Sequence, residues 1–167
     1  MLNEVYLMSS LPSLSFGQAP PVSLEEFSDM ARSELSARGF KALSRVSMRD
    51  EYSKVRKIKL KGLHKMHAGL LKDMTEIRNS RIEKRPVRLD LLPDTVLEAN
   101  PLDREMEIIH WQWDYLDALV ASKSFTLSEV IVYKLKLQLL FRMNSFNKER
   151  GIQVLDSVVN PQKKKEG

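Results

Sequence analysis

The sequence contains no cysteine at all. That absence removes disulfides, thiolate metal sites and cysteine nucleophiles in one step, and it suits a reducing compartment. Glycine and proline are also scarce, with six and seven residues. The prolines, Pro12, Pro20, Pro21, Pro86, Pro93, Pro101 and Pro161, punctuate the chain rather than populate it, which suits long helices. Long apolar runs are missing too. In the opening stretch YLMSSLPSLSFG the only early charge is Glu4, and the run Val5-Tyr6-Leu7-Met8 is cut by Ser9 and Ser10. A signal peptide needs a positive start and a longer apolar centre, and a membrane span needs about 20 apolar residues. The most apolar later region, residues 130–143, carries Lys134, Lys136, Gln138 and Arg142. The expectation is a soluble, cytoplasmic chain.

Catalytic signatures are equally sparse. Gly62, Gly69 and Gly151 stand alone and form no phosphate-cradling loop, and no nucleophile elbow is present. His64 and His67 stand three apart on a helical stretch and could be half of a metal site. A metal needs further ligands, however, and Lys61, Lys65 and Lys72 around them would repel a cation. His110 lies beside an apolar seam and reads as a packed or hydrogen-bonded histidine. Asp114 and Asp117 fall on an outer helix face, where solvated carboxylates are ordinary. Trp111 and Trp113 could stack a ligand, but Trp113 falls on a core stripe. No catalytic residue, cofactor or metal ligand is assigned, and the expectation is a protein that is not an enzyme.

What the chain does have is segregated charge. Residues 41–88 hold 15 Lys/Arg and 5 Asp/Glu, whereas the remainder holds 12 and 17. The segment is a basic arm on an acidic body. Within it, Leu63, Met66, Leu70, Met74 and Ile77 recur at helical spacing, a stripe narrow enough for a single partner helix. Arg56, Lys57, Lys61, Lys65 and Lys72 are the candidate partner-binding residues. Such an arm can bind nucleic acid through phosphates, dock on an acidic protein, or simply face water. Aromatic interleaving, which would favour single-stranded nucleic acid, is limited to Tyr52.

The remaining pattern is helical throughout. Residues 1–22 form an ordered cap or loop, Ser/Pro/Gly-rich from residue 9. Ser23-Leu24-Glu25-Glu26 reads as a capping box opening a helix to about Ala37, closed by Gly39, with a short helix over residues 40–46. Residues 50–84 predict the long basic helix, and Pro86 and Pro93 bracket an extended link over 87–92. Asn100-Pro101 starts the clearest amphipathic helix, with Leu102, Met106, Ile109, Trp113, Leu116 and Val120 on one face. Thr126-Leu127-Ser128-Glu129 reads as a second capping box, opening a central core helix to about Asn144, and a last helix spans 147–159. Trp113 and its neighbours should pack against Ile131, Leu135, Leu139 and Phe141. The fold class is all-α: a helical bundle over 23–160 with one long, basic, partly protruding helix pair or arm at about 49–85, and a disordered tail at 161–167.

Two stretches carry a resemblance. VYLMSSLPSLSFGQAPPVSLEEF (5–27) and WQWDYLDALVASKSFTLSEVIVYKLKLQLLFRMNSFNKERG (111–151) resemble a bacterial domain family encoded within V-type ATP synthase operons. The matching residues are Tyr6, Leu7, Ser10, Leu11 and Pro12, then 23–27, 113–117, Phe125, Leu127, 135–140 and 148–151. The resemblance implies a non-catalytic subunit or accessory protein of that complex. It is distantly similar to the all-α socket subunit that couples the central stalk to the membrane rotor. It further implies partners among the ATPase subunits and a place at the cytoplasmic face of the membrane without insertion. A basic helical nucleic-acid-binding protein is the alternative.

Overall fold

A computed structural model describes residues 2–48 and 60–159. Within them all regular structure is helical: α1 (Leu2–Ser10), α2 (Leu24–Glu34), α3 (Ala37–Ser44), α4 (Lys61–Glu83), α5 (Thr95–Glu98), α6 (Pro101–Val120) and α7 (Leu127–Val159). The expected tail at 161–167 lies outside the described residues.

The core is built around α7. Four consecutive residues at its start, Val130, Ile131, Val132 and Tyr133, are all buried, as are Leu135, Leu137, Leu139, Leu140 and Met143. A helix apolar all round must be surrounded. Here α6 lies on one side and α1, α2 and α3 on the others. No break occurs before residue 147: α7 continues through Gly151 as one helix of 33 residues. An interior glycine costs only about 1 kcal/mol against alanine, too little to stop a helix without a proline.

α6 packs antiparallel to α7 as the short connection requires. Asn100 Oδ1 accepts from the amides of Leu102 and Asp103, with Pro101 in the first turn. Ile109, Trp113 and Leu116 share one cluster with Ile131, Leu135 and Leu139, and Met106, Val120 and Phe141 pack on it. Trp113 is only 6% exposed, with Phe16 edge-on at 5.6 Å and the Lys136 ammonium 4.0 Å from its ring centroid. The capping box proposed at residues 126–129 is replaced by another arrangement. Thr126 Oγ1 donates to the Lys123 carbonyl, and Glu129 accepts from the Phe125 amide.

The N-terminal third departs from the sequence reading in three places. Residues 2–10 are helical rather than loop. Ser9 and Ser10, read as interruptions, turn their hydroxyls back onto the Val5 and Leu7 carbonyls at 2.8 and 2.9 Å. Leu7 and Leu11, four apart, enter the core. The Ser23–Glu26 capping box forms as expected, and the backbone hydrogen bond from Ser23 holds the Glu26 carboxyl below the ordinary range. The helix it opens stops early, however, with Leu35 in extended conformation. Ser36 then caps α3 by accepting from the Gly39 amide at 3.1 Å. Gly39 is therefore a buried residue inside α3, not a terminator. The end of α3 is held to α7 by Lys134, whose ammonium donates to the Leu43 and Val46 carbonyls at 2.9 and 2.7 Å. A cation at the negative end of a helix is favourable.

Candidate interaction surface

Among the described residues, most of the basic segment lies in α4. Its Leu63 and Met66 are fully buried in the main core. Farther along, Ile77 joins a second, smaller core with Leu92, Val96 and Ile108, and Leu70 and Met74 pack against it. The stripe expected to meet a separate partner helix is thus occupied by the chain's own α6 and by the returning segment 87–97. A cue was present in Val87-Arg88-Leu89-Asp90: Val87 and Leu89 pack on the second core, while Arg88 and Asp90 are exposed. That is the alternation of an extended strand with one buried face.

Two glycines permit this close approach. A Cβ on Gly62 would stand 2.1 Å from Leu119 Cδ2, and one on Gly69 would stand 2.0 Å from Leu91 Cδ1 and 3.0 Å from its Cγ. Read alone in the sequence, these glycines suggested nothing; in the fold they let α6 and the return segment lie against α4.

Asp73 fastens the return segment. Its side chain is 1% exposed, and its carboxylate accepts from the amides of Asp90, Leu91 and Leu92 at 2.9, 2.8 and 2.8 Å. One carboxylate thereby satisfies three backbone donors of an extended segment that has no sheet partner. Nearby, Lys72 pairs with Asp90, and Arg85 pairs with both Glu76 and Glu83. The Arg85 guanidinium lowers the Glu76 carboxyl to about 2. Lys72 is held above its ordinary value by the hydrogen bond to Asp90.

The consequence is an asymmetry of charge on α4. Its carboxylates are all engaged within the chain: Asp73 is buried, and Glu76 and Glu83 face Arg85. Lys65, Arg78, Arg81 and Arg88 are exposed and make no ion pair among the described residues. Of the residues expected to bind a partner, Lys65 faces solvent, Lys72 is exposed but paired with Asp90, and Lys61 opens α4. Arg56 and Lys57 lie outside the described residues. His67 is half-buried, and desolvation with His64 nearby pushes its imidazole below the usual value. No cluster of three or more His, Cys, Asp or Glu that could hold a metal occurs among the described residues.

Two exposed apolar side chains, unmarked in the sequence reading, complete the outer face. Leu71 is 58% and Ile82 80% exposed. With His64, Ala68, Thr75 and Arg78 they follow steps of 4, 3, 4, 3 and 4, a second stripe opposite the buried one. Beside it runs an open groove of about 610 Å³ lined by Leu71, Lys72, Asp73, Thr75, Glu76 and Asn79 on α4, by Arg85 just after it, and by Arg88 and Asp90 on the return segment. No family model, curated protein or solved structure matches this chain. The outer face of α4 thus carries Leu71, Arg78 and Ile82 along one line, with Lys65 and Arg81 to either side.

Proposed function

We propose that this chain is a non-catalytic component of a V-type ATP synthase, held at the cytoplasmic face of the membrane through the complex and contacting it by α4. The observation that carries the reading is the set of exposed cations on α4, Lys65, Arg78 and Arg81, which make no ion pair among the described residues while the α4 carboxylates Asp73, Glu76 and Glu83 are engaged within the chain. Like charges kept together raise self-repulsion, and an acidic surface relieves it. The choice of complex comes from the resemblance of the two terminal stretches. In support, residues from both stretches, Leu7, Leu11, Phe27, Trp113, Leu116, Leu135 and Leu139, lie in one cluster. No helix among the described residues is long and apolar enough to cross a membrane. A coupling element between central stalk and rotor, in the manner of the socket subunit, is the position proposed.

The test is co-isolation. A tagged chain expressed with a V-type ATP synthase should be recovered at a fixed ratio to the central-stalk subunits and should dissociate as ionic strength rises. Exchange of Lys65, Arg78 and Arg81 for glutamate should lower that recovery while the melting temperature is retained. Absence of the chain from the complex would refute the assignment. The same cations would also serve a phosphate backbone. Tight, salt-sensitive binding to DNA or RNA that the same exchange abolishes would favour the nucleic-acid reading.

A further inference from the structure

We infer that the outer face of α4 is a docking surface for an acidic amphipathic helix of another protein. The inference deepens the ATPase reading and rests on it only for where the natural partner is sought. The face itself stands on geometry. Leu71 and Ile82 are the most exposed large apolar side chains of α4, and they lie 11 residues apart, three helical turns on one line. Ala68 and Thr75 between and before them are small, so a second helix can approach closely along the line. Asn79, one turn before Ile82, offers an amide, and the groove beside Leu71 and Thr75 gives the partner's side chains a place to enter.

Three alternatives fit less well. A second copy of this face would set Lys65, Arg78 and Arg81 against cations of the same kind, with no unengaged carboxylate on α4 to answer them. A nucleic acid could use the cations but leaves Leu71 and Ile82 without apolar contact, and α4 carries no Phe, Tyr or Trp on which successive bases could stack. Water alone leaves the outward cations Lys65, Arg78 and Arg81 beside Leu71 and Ile82 with no acidic counterpart on α4, a concentration of like charge that raises self-repulsion. A helix with leucines at heptad spacing and glutamates flanking them can set leucines on Leu71 and Ile82 and carboxylates on Lys65, Arg78 and Arg81 at once.

The experiment measures anisotropy of a labelled 21-residue peptide with leucine at the a and d positions and glutamate at e and g, titrated with the full chain. Binding in the micromolar range is expected, weakening at least tenfold when salt is raised from low to high. A twin peptide with lysine at e and g should not bind. Leu71→Ser with Ile82→Ser should weaken binding at least tenfold, and so should Arg78→Glu with Arg81→Glu, each with an unchanged melting temperature. Arg38→Glu on α3 with Arg45→Glu just after it should leave binding within twofold. No peptide binding, equal binding of the lysine twin, or indifference to the α4 changes would overturn the inference. Peptide binding without recovery of the chain in the ATP synthase would refute the assignment to that complex and leave the docking surface standing. Stronger binding of RNA or DNA than of peptide at equal salt, lost on the arginine exchange alone, would replace it by a phosphate track.

Discussion

Replacing Asp73 by alanine isolates the device that holds the return segment on α4. Three amides lose their acceptor. That of Leu92 is buried, and those of Asp90 and Leu91 are partly so. A hydrogen bond to a charged group contributes about 1.5–3 kcal/mol net, a figure that already includes the carboxylate's own desolvation. The Leu92 amide cannot be rewetted without opening the second core, so it loses that amount in full. Water can reach the other two, which lose roughly 0.5–1 kcal/mol each. The sum is about 2.5–5 kcal/mol, or on the order of 10 °C in melting temperature for a chain of this size. Asp73→Asn keeps one acceptor oxygen but turns an amide donor toward a remaining N–H, and should cost about half as much. Urea unfolding gives the total. Amide hydrogen exchange locates it, because the amides of residues 90–92 should lose protection far more than those of α6 or α7. An alanine variant within about 1 kcal/mol of the parent, with unchanged exchange at residues 90–92, would refute the reasoning.

Further tests follow from neighbouring geometry. Gly69→Ala gains about 1 kcal/mol of helix propensity but collides with Leu91 at both Cδ1 and Cγ, so a net loss of roughly 1–2 kcal/mol is expected, restored when Leu91 is also made alanine. At Gly62 only the Leu119 Cδ2 methyl is in the way, so Gly62→Ala should be milder; equal losses in urea titrations would contradict this difference. Tyr133→Phe removes the 2.8 Å bond from its hydroxyl to the Pro12 carbonyl and should cost about 0.5–1.5 kcal/mol, with increased exchange confined to residues 11–17. Burial holds the Tyr133 phenol at about 12, so its ultraviolet titration should come later than the usual value of 10.0 and vanish in the variant. Glu76 is held at about 2 against an ordinary 4.5. A depressed carboxyl contributes stability that is complete above about pH 4.5 and is lost as the pH falls toward 2. Glu76→Gln should flatten that part of the acid limb, and side-chain NMR showing Glu76 titrating near 4.5 would disprove the pairing.

Much of the bundle was legible in the sequence because its signals are local. The Ser23–Glu26 box and the Asn100-Pro101 start involve atoms within three residues of each other, and they form as read. The stripe from Met106 to Val120 needs only a 3.6-residue period, and its burial against α7 follows from the short connection. The stripe on α4 was read with the right residues, from Leu63 to Ile77. Its destination could not be read, since periodicity says that a face is buried but not by what.

Tertiary structure decided the rest. Whether the apolar side of α4 met another molecule or its own chain depended on Asp73 reaching three amides 17 to 19 residues away, and on Gly62 and Gly69 leaving room for Leu119 and Leu91. The same packing sorted the charges. In sequence, residues 41–88 are an undivided excess of lysine and arginine; in space Arg85 is spent on Glu76 and Glu83, Lys72 on Asp90, and Lys65, Arg78 and Arg81 remain outward around Leu71 and Ile82. Composition fixes how many cations a segment carries. Only the folded chain determines which of them have already been neutralised, because an ion pair requires its two groups within about 4 Å and distance along the chain does not supply that.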